Sequence, residues 1–414
     1  RMSASWLSLE SALDKALSAA HTVTECETVS LFSANNRIVA TDIVATLDVP
    51  PWDNSAMDGY AVNTAGLSTS SPLEVQGTIT AGMAADTPLS TNRAFKIMTG
   101  APVPPNADAV VMVENTEQRE NKVIIKSLPT SGENIRLKAN DISAGEVLIA
   151  KGTRLNAEHL MLLSSQGLDK VSVYRKLKVG VVATGSELAQ PGDNRSSTQI
   201  FESNRVGVCA ILGNENLDIV DFGIVEDDKD SLQQLFESAI GQVDIMVSSG
   251  GVSVGDADYV KEIINRLGGV DFWKVAIKPG KPFALGYLQQ SDAQKNSQRT
   301  LFCGLPGNPV SSFVTAKLLV VPVIRKMQGQ VNVSAPLTMN ATLTHPIKRR
   351  AGRRDFQRAT MHKMADGGYE VTPFKTQSSG VMTSITSANC FMILHEDVSQ
   401  LDAGDTVPVM PFTL

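Results

Sequence analysis

Five short stretches in the second half of the chain hold residue types that bind phosphate or a metal. They are Thr184-Gly185-Ser186-Glu187, Glu226-Asp227-Asp228, and Ser248-Ser249-Gly250-Gly251 running on to Gly255-Asp256-Ala257-Asp258. Lys274 with Lys278-Pro279-Gly280-Lys281, and Gly304-Leu305-Pro306-Gly307-Asn308, complete the set. Glycines let backbone N–H groups approach an oxyanion closely, and helix N-termini add the positive end of a dipole. Lysines neutralise what anionic charge remains. Several carboxylates facing an anion would repel it unless a divalent cation sits between them, and a few carboxylates with phosphate and water suit Mg²⁺. The combination predicts a phosphorylated, nucleotide-like ligand with a bound divalent metal. Taken singly, each stretch has a plainer reading. A Gly-Gly pair after a strand is usually a tight turn. Asp228 and Asp230 precede a helix and read as N-caps, and Asp227 serves as either cap or ligand. Lys274 lies within a strand. What separates these stretches from ordinary loops is that all five fall on one edge of one sheet. No GxxxxGK[ST], GxGxxG or GxSxG pattern is present, so P-loop, nicotinamide and serine-hydrolase chemistries have no support.

The elements that must position these loops follow from hydrophobic period. From Leu177, apolar runs ("KLKVGVVAT", "LDIVDFGIV", "VDIMVSS", "VDFWKVAI", "TLFCGL") alternate with helical patterns at 231–240, capped by Asp230, and at 258–267. Such alternation predicts a doubly wound parallel-sheet α/β domain over 177–328, with ligands outside the carboxyl ends of its strands. Residues 6–20 place Leu9, Leu13, Ala16, Leu17 and Ala20 at helical spacing with Ser8 as N-cap, and "LNAEHLMLLSSQG" predicts another helix between Asn156 and Gly167. Short β-branched runs between turn clusters make 46–146 a β-rich domain inserted into a discontinuous helical linking region, 1–45 with 147–176. Short strands after 329 predict a C-terminal β-barrel to residue 414. The fold class is therefore multidomain α/β plus β.

Composition narrows the function classes. A net charge of −6 disfavours nucleic acid as a partner. No apolar run reaches spanning length and no signal-peptide pattern opens the sequence, which predicts a cytoplasmic protein without membrane contact. Arg1 ahead of Met2 reads as an addition before the natural start. Four scattered cysteines and five separated histidines predict neither disulfides nor a transition-metal cage.

"PPWDNSAMDGYA", "MTGAPVPPNADAVVMVE", "VVATGSEL", "SSGGVSVGDADY", "KPGKPFALG" and "LPGNPVSSF" occur in that order. Together they closely resemble the molybdopterin molybdenumtransferase family (MoeA), to which the C-terminal domain of the scaffold protein gephyrin also belongs. The resemblance spans essentially the whole chain. It implies a homodimer of elongated four-region protomers that performs a late step of molybdenum cofactor synthesis. Adenylylated molybdopterin and molybdate bind, AMP is released and molybdenum enters the dithiolene, with Mg²⁺ as cofactor. The implied active site is shared between the second domain of one subunit and the third domain of the other. Implied partners are the adenylylating enzyme of the pathway, apo-molybdoenzymes and cofactor chaperones. The alternatives are adenylylation of molybdopterin, against which the "DNSAMDGYA" loop speaks, and a non-catalytic scaffold, for which a preceding domain and linker are missing.

Carried over by motif, Asp58, Thr99 and Asp141 come from the β-rich domain as catalytic residues. Glu187, Asp227, Asp258, Lys274 and Lys278 come from the α/β domain, with Glu187, Asp227 and Asp258 as the Mg²⁺ ligands. Gly185, Ser249, Gly250, Gly251, Ser253, Gly255, Lys281, Pro306, Gly307 and Asn308 would hold the molybdopterin substrate. The stiff loop at 50–61 would present Asp58 to the partner, its prolines reducing the entropy lost on binding, while Asp53 shapes the loop through an Asx-turn. In "KRRAGRRDFQR" six basic side chains read as a solvated face. The family pattern instead assigns Arg358, with Ser379, to an oxyanion such as molybdate. Ser186 and Asn140 stand where the family commonly has acidic residues, which leaves the metal count open.

Overall fold

The computed structural model describes residues 6–252, 257–289 and 299–413. Contact divides the chain into two compact units. The larger holds residues up to 40, 152–157 and 170–414, and the smaller holds 41–151 and 158–169.

In the larger unit a seven-stranded sheet runs in the order Trp6–Leu7, Gly268–Val275, Pro282–Gln289, Arg299–Leu305, Ile245–Ser249, Lys178–Thr184, Asp218–Val225. Its strands are apolar along their length because both faces are covered. On one face Val179, Val181, Ile245, Val247 and Cys303 pack with Ala12 and Ala16 of helix Leu9–Ala19 and with Val208 and Leu212 of helix Asn204–Gly213. On the other, Val182, Met246 and Phe302 pack with Leu232 and Phe236 of helix Lys229–Ala239 and with Ile263 and Ile264 of helix Ala257–Leu267. Ser8 caps the first helix through Ser11 N–H, as its sequence predicts.

The sheet is mixed rather than wholly parallel. Strand Pro282–Gln289 runs antiparallel to both its neighbours, Gly268–Val275 and Arg299–Leu305, while the other pairings are parallel. The run "KPFALGYLQQ" carries no strand expectation of its own, since it follows Pro-Gly directly, yet 276–281 is a hairpin connection leading into a strand. Since two reversals restore direction, Gly268–Val275 still points the same way as Ile245–Ser249. Its following loop therefore reaches the same sheet edge as the others. The helix at 229–239 is capped by Asp228, whose carboxylate accepts from Asp230 and Ser231 N–H, and not by Asp230.

The same unit contains a closed five-stranded barrel. Arg354–Lys363, Tyr369–Pro373, Met339–Leu343, Thr406–Pro411 and Cys390–Leu394 pair in turn, and the last returns to the first. Closure leaves no sheet edge exposed among these strands. Ile277–Lys278 adds a short parallel strand to the start of Arg354–Lys363, with Lys278 opposite Asp355. Buried Glu215 joins distant parts of this unit, accepting from Arg154 (3.1 Å) and Arg325 (2.9 Å).

The smaller unit is a six-stranded sheet ordered Ala109–Met112, Gly59–Val62, Arg93–Ile97, Leu73–Ile79, Lys122–Ile125, Thr116–Arg119. Tyr60, Val62, Ala94, Val111, Val123 and Ile125 form one of its cores. A Cβ on Gly59 would lie 1.9 Å from the Val111 carbonyl oxygen, so only glycine permits the strand pairing that places Asp58 at the strand start.

Candidate active site

Along the carboxyl edge of the larger unit's sheet two adjacent cavities open. The smaller, of about 240 Å³, is lined by Thr184, Gly185, Glu187, Glu202, Asn204, Asp227, Ser249, Gly250 and Gly251 among others. Gly250 and Gly251 have φ of +86° and +74°, and a Cβ on either would press on Thr184, 2.6 Å from its carbonyl oxygen or 2.8 Å from its hydroxyl. The pair is thus more than a turn: its backbone lies directly against the end of the neighbouring strand. Asn204 ties the loops together, donating to Ser249 Oγ (2.8 Å) and to the Gly307 carbonyl (2.7 Å). Glu202 is almost fully buried, accepts from Arg205 N–H and pairs with the Arg205 guanidinium. Neither Glu202 nor Asn204 emerges from the strand-end pattern, because both precede or open a helix in a long irregular connection. The motif "FESN" directly before an apolar helix is the signal that marks them.

The larger cavity, of about 660 Å³, is lined by Lys278, Lys281, Pro306, Gly307, Asn308, Ser311, Arg353, Gln377, Ser378 and Ser379 among others. Lys278, Lys281 and Arg353 have no carboxylate within ion-pair distance among the described residues. Three uncompensated cations around one recess attract a compact, multiply charged anion. Asn308 Oδ1, at this cavity, and Thr184 Oγ1, at the smaller one, are buried with no hydrogen-bond partner among the described residues. Buried polar atoms are rarely left so unless water, a ligand or an ion completes them.

The sequence-assigned residues divide as follows. Gly185, Glu187, Asp227, Ser249, Gly250 and Gly251 meet in the smaller cavity, and Lys278, Lys281, Pro306, Asn308 and Ser379 in the larger, with Gly307 shared. Lys274 is half-buried in the sheet opposite Trp6 and lines neither. Ser253, Gly255 and the side chain of Asp258 lie outside the described residues. Arg358 requires correction. It is fully buried in the barrel, donating to Ser384 Oγ (3.0 Å) and to the carbonyls of Phe356 and Ser378. Burial pushes its pKa down from the ordinary arginine value, partly offset by Asp355. Its backbone is bonded to Gln377, so it fixes the 377–379 loop from behind while Arg353 supplies the cavity's guanidinium. The basic run is not a simple solvated face either, because Arg354 pairs with Glu10 and Glu396.

Among the described residues no three Asp, Glu, His or Cys side chains converge on a metal position. Glu187 and Asp227 facing one cavity remain compatible with Mg²⁺, which takes one or two protein carboxylates and completes its shell with water and substrate phosphate.

In the smaller unit, Asp58 is exposed and accepts from the Thr99 N–H (2.7 Å) and hydroxyl (2.8 Å). The backbone bond first, then the hydroxyl, hold its carboxyl below the ordinary aspartate range. Asp141 is exposed, its N–H donating to Val49, and no bond joins it to the Asp58–Thr99 pair among the described contacts. Asp53 does not form a local Asx-turn. It accepts from Lys138 N–H (2.7 Å), pinning the loop to a segment 85 residues away.

Residues 7–167 match the pattern of the MoeA N-terminal region (domain I and II), 180–326 a probable molybdopterin binding domain, and 340–412 the MoeA C-terminal region (domain IV). A Haemophilus influenzae protein named molybdopterin molybdenumtransferase is 40% identical over 98% of both chains. A Nostoc protein of the same name is 35% identical over 93% of this chain and 88% of its own. The solved Pyrococcus horikoshii molybdopterin biosynthesis MoeA protein superposes with a TM-score of 0.80 at 27% identity, covering 99% of this chain and all of that one. The chain belongs to the MoeA family.

Proposed function

We propose that this protein is the molybdopterin molybdenumtransferase its relatives are named for, and that it inserts molybdenum from molybdate into adenylylated molybdopterin with release of AMP. The supporting observation is the recess at the sheet edge, with three cations lacking a carboxylate partner and a buried oxygen lacking a hydrogen-bond partner among the described residues, beside a second recess lined by carboxylates and close-packed glycines. A tetrahedral dianion suits Lys278, Lys281, Arg353 and the Ser378–Ser379 hydroxyls, which offer charge-assisted donors. The Gly250–Gly251 backbone, with Asn204 holding the loops in register, leaves room for a phosphate to approach the main chain. Bound by Glu187 and Asp227, Mg²⁺ would supply Lewis acidity at the phosphoanhydride.

The working form in this proposal is a homodimer in a cytoplasmic setting, with Asp58 of one protomer serving the sheet edge of its partner. Asp58 suits that role: it is exposed, aimed by the Thr99 N–H and hydroxyl, and carried on a loop pinned at several points. The reading is tested by mixing purified protein with adenylylated molybdopterin and either molybdate, tungstate or sulfate. AMP release that depends on molybdate, is weaker with sulfate, and stops on chelation of divalent cation is expected. Release that is indifferent to the anion would overturn the proposal.

A further inference from the structure

Trp6 belongs to no motif and lies outside the residues assigned by resemblance, yet it touches two of the three cavity cations. Lys281 Nζ lies over its ring, 5.5 Å from the centroid, and the Arg353 guanidinium carbon lies 6.0 Å from it. Lys281 and Arg353 both also line the large cavity, and with Trp6 they line a further recess of about 460 Å³. Trp6 is 49% exposed, so it is not there to fill a core.

Each member of the trio is held at its backbone. Strand Trp6–Leu7 pairs with Lys274–Val275, and Ala276 N–H donates to Leu7. Val275 N–H donates to the Lys281 carbonyl. Arg349 donates to the Arg353 carbonyl (2.7 Å) and to the Leu394 and His395 carbonyls, and Gly352 N–H donates to Glu396. What the backbone does not fix is the reach of two long, flexible side chains of like charge. Left alone they would spread apart into water, each being more stable away from the other. An electron-rich indole face attracts both. It holds them in place without neutralising them, which a carboxylate would do.

We infer that Trp6 is a positioning residue that pre-organises Lys281 and Arg353 as an oxyanion clamp. This rests on the proposed reading of the large cavity as the oxyanion site. It reduces the side-chain entropy lost when the anion binds.

The test is calorimetric titration of the full-length protein with molybdate. Trp6→Leu is expected to weaken binding by about five- to thirtyfold, the value of losing two such contacts. Trp6→Phe, which keeps a ring face, recovers most of the affinity. In the enzyme assay Trp6→Leu raises the KM for molybdate and leaves kcat at saturating molybdate within about twofold. In an Arg353→Gln background the additional effect of Trp6→Leu shrinks, as coupled residues require. Should Trp6→Leu not fold, a fluorinated tryptophan placed at position 6 drains the ring face at nearly constant shape, and affinity must still fall. Wild-type affinity in Trp6→Leu, or in the fluorinated protein, overturns the inference alone. Absence of any oxyanion binding by the wild-type protein overturns the reading of the cavity and the inference with it.

Discussion

Asp58 shows how much a single side chain's chemistry depends on two neighbouring donors. A surface aspartate needs no help to be charged at neutral pH, so the Thr99 bonds matter for direction and for acidity rather than for ionisation as such. They aim the carboxylate and lower its proton affinity. Because the folded pKa lies below the unfolded one, the stabilisation these bonds supply is full above the ordinary aspartate range. It is lost as pH falls through the depressed value. Thr99→Ala removes the hydroxyl donor and keeps the backbone one. Carboxyl NMR titration should therefore show the Asp58 pKa moving up toward the ordinary value while remaining below it. Asp58→Asn preserves the acceptor toward Thr99 but removes the charge. Its activity should fall by about 10²-fold or more, with circular dichroism and sedimentation unchanged. Normal AMP release by the Asp58→Asn variant would remove the carboxylate from the chemistry.

Between a residue and a site stand elements whose geometry decides what the residue can do. Gly250 is the clearest case. With φ +86° and the Thr184 carbonyl 2.6 Å from where a Cβ would sit, alanine there faces backbone strain and a backbone clash together. Gly250→Ala should lower stability by roughly 1–3 kcal/mol, read as a shift of the urea midpoint. It should also weaken nucleotide binding more than Gly207→Ala on the exposed part of helix Asn204–Gly213, where a Cβ meets nothing within 4 Å. This layer of structure was partly legible beforehand. Alternating apolar runs and helical patterns gave the strand ends, because coverage on both faces leaves no polar alternation to confuse the reading. Strand Pro282–Gln289 was not legible, since an apolar run carries no mark of direction and the run begins directly after a proline-glycine turn. The choice between Arg353 and Arg358 was hidden for a related reason. Both lie in one basic stretch, and only closure of the barrel sends Arg358 inside to brace the 377–379 loop. Glu202 and Asn204 escaped because they sit in an irregular connection rather than at a strand end.

At the scale of the molecule, the proposed reaction would draw a carboxylate arm from one compact unit and a cationic recess from the other. The proposed dimer turns this into a test, because a residue of one unit would then serve the other unit of a different protomer. Asp58→Asn and Lys278→Ala would each disable one half of the proposed composite site. If both halves came from the same protomer, a mixed dimer of the two variants would contain two broken sites and remain inactive. If the halves come from different protomers, the mixed dimer has one site carrying both substitutions and one carrying neither. Random pairing makes half of the dimers mixed and restores one of their two sites, so about a quarter of wild-type activity should return. Co-expression with two affinity tags isolates the mixed dimer directly, and its activity should be near half that of wild type. No recovery in a verified mixed dimer would place Asp58 and Lys278 at the service of one protomer. The two acidic and basic halves would then have to be joined within a single chain.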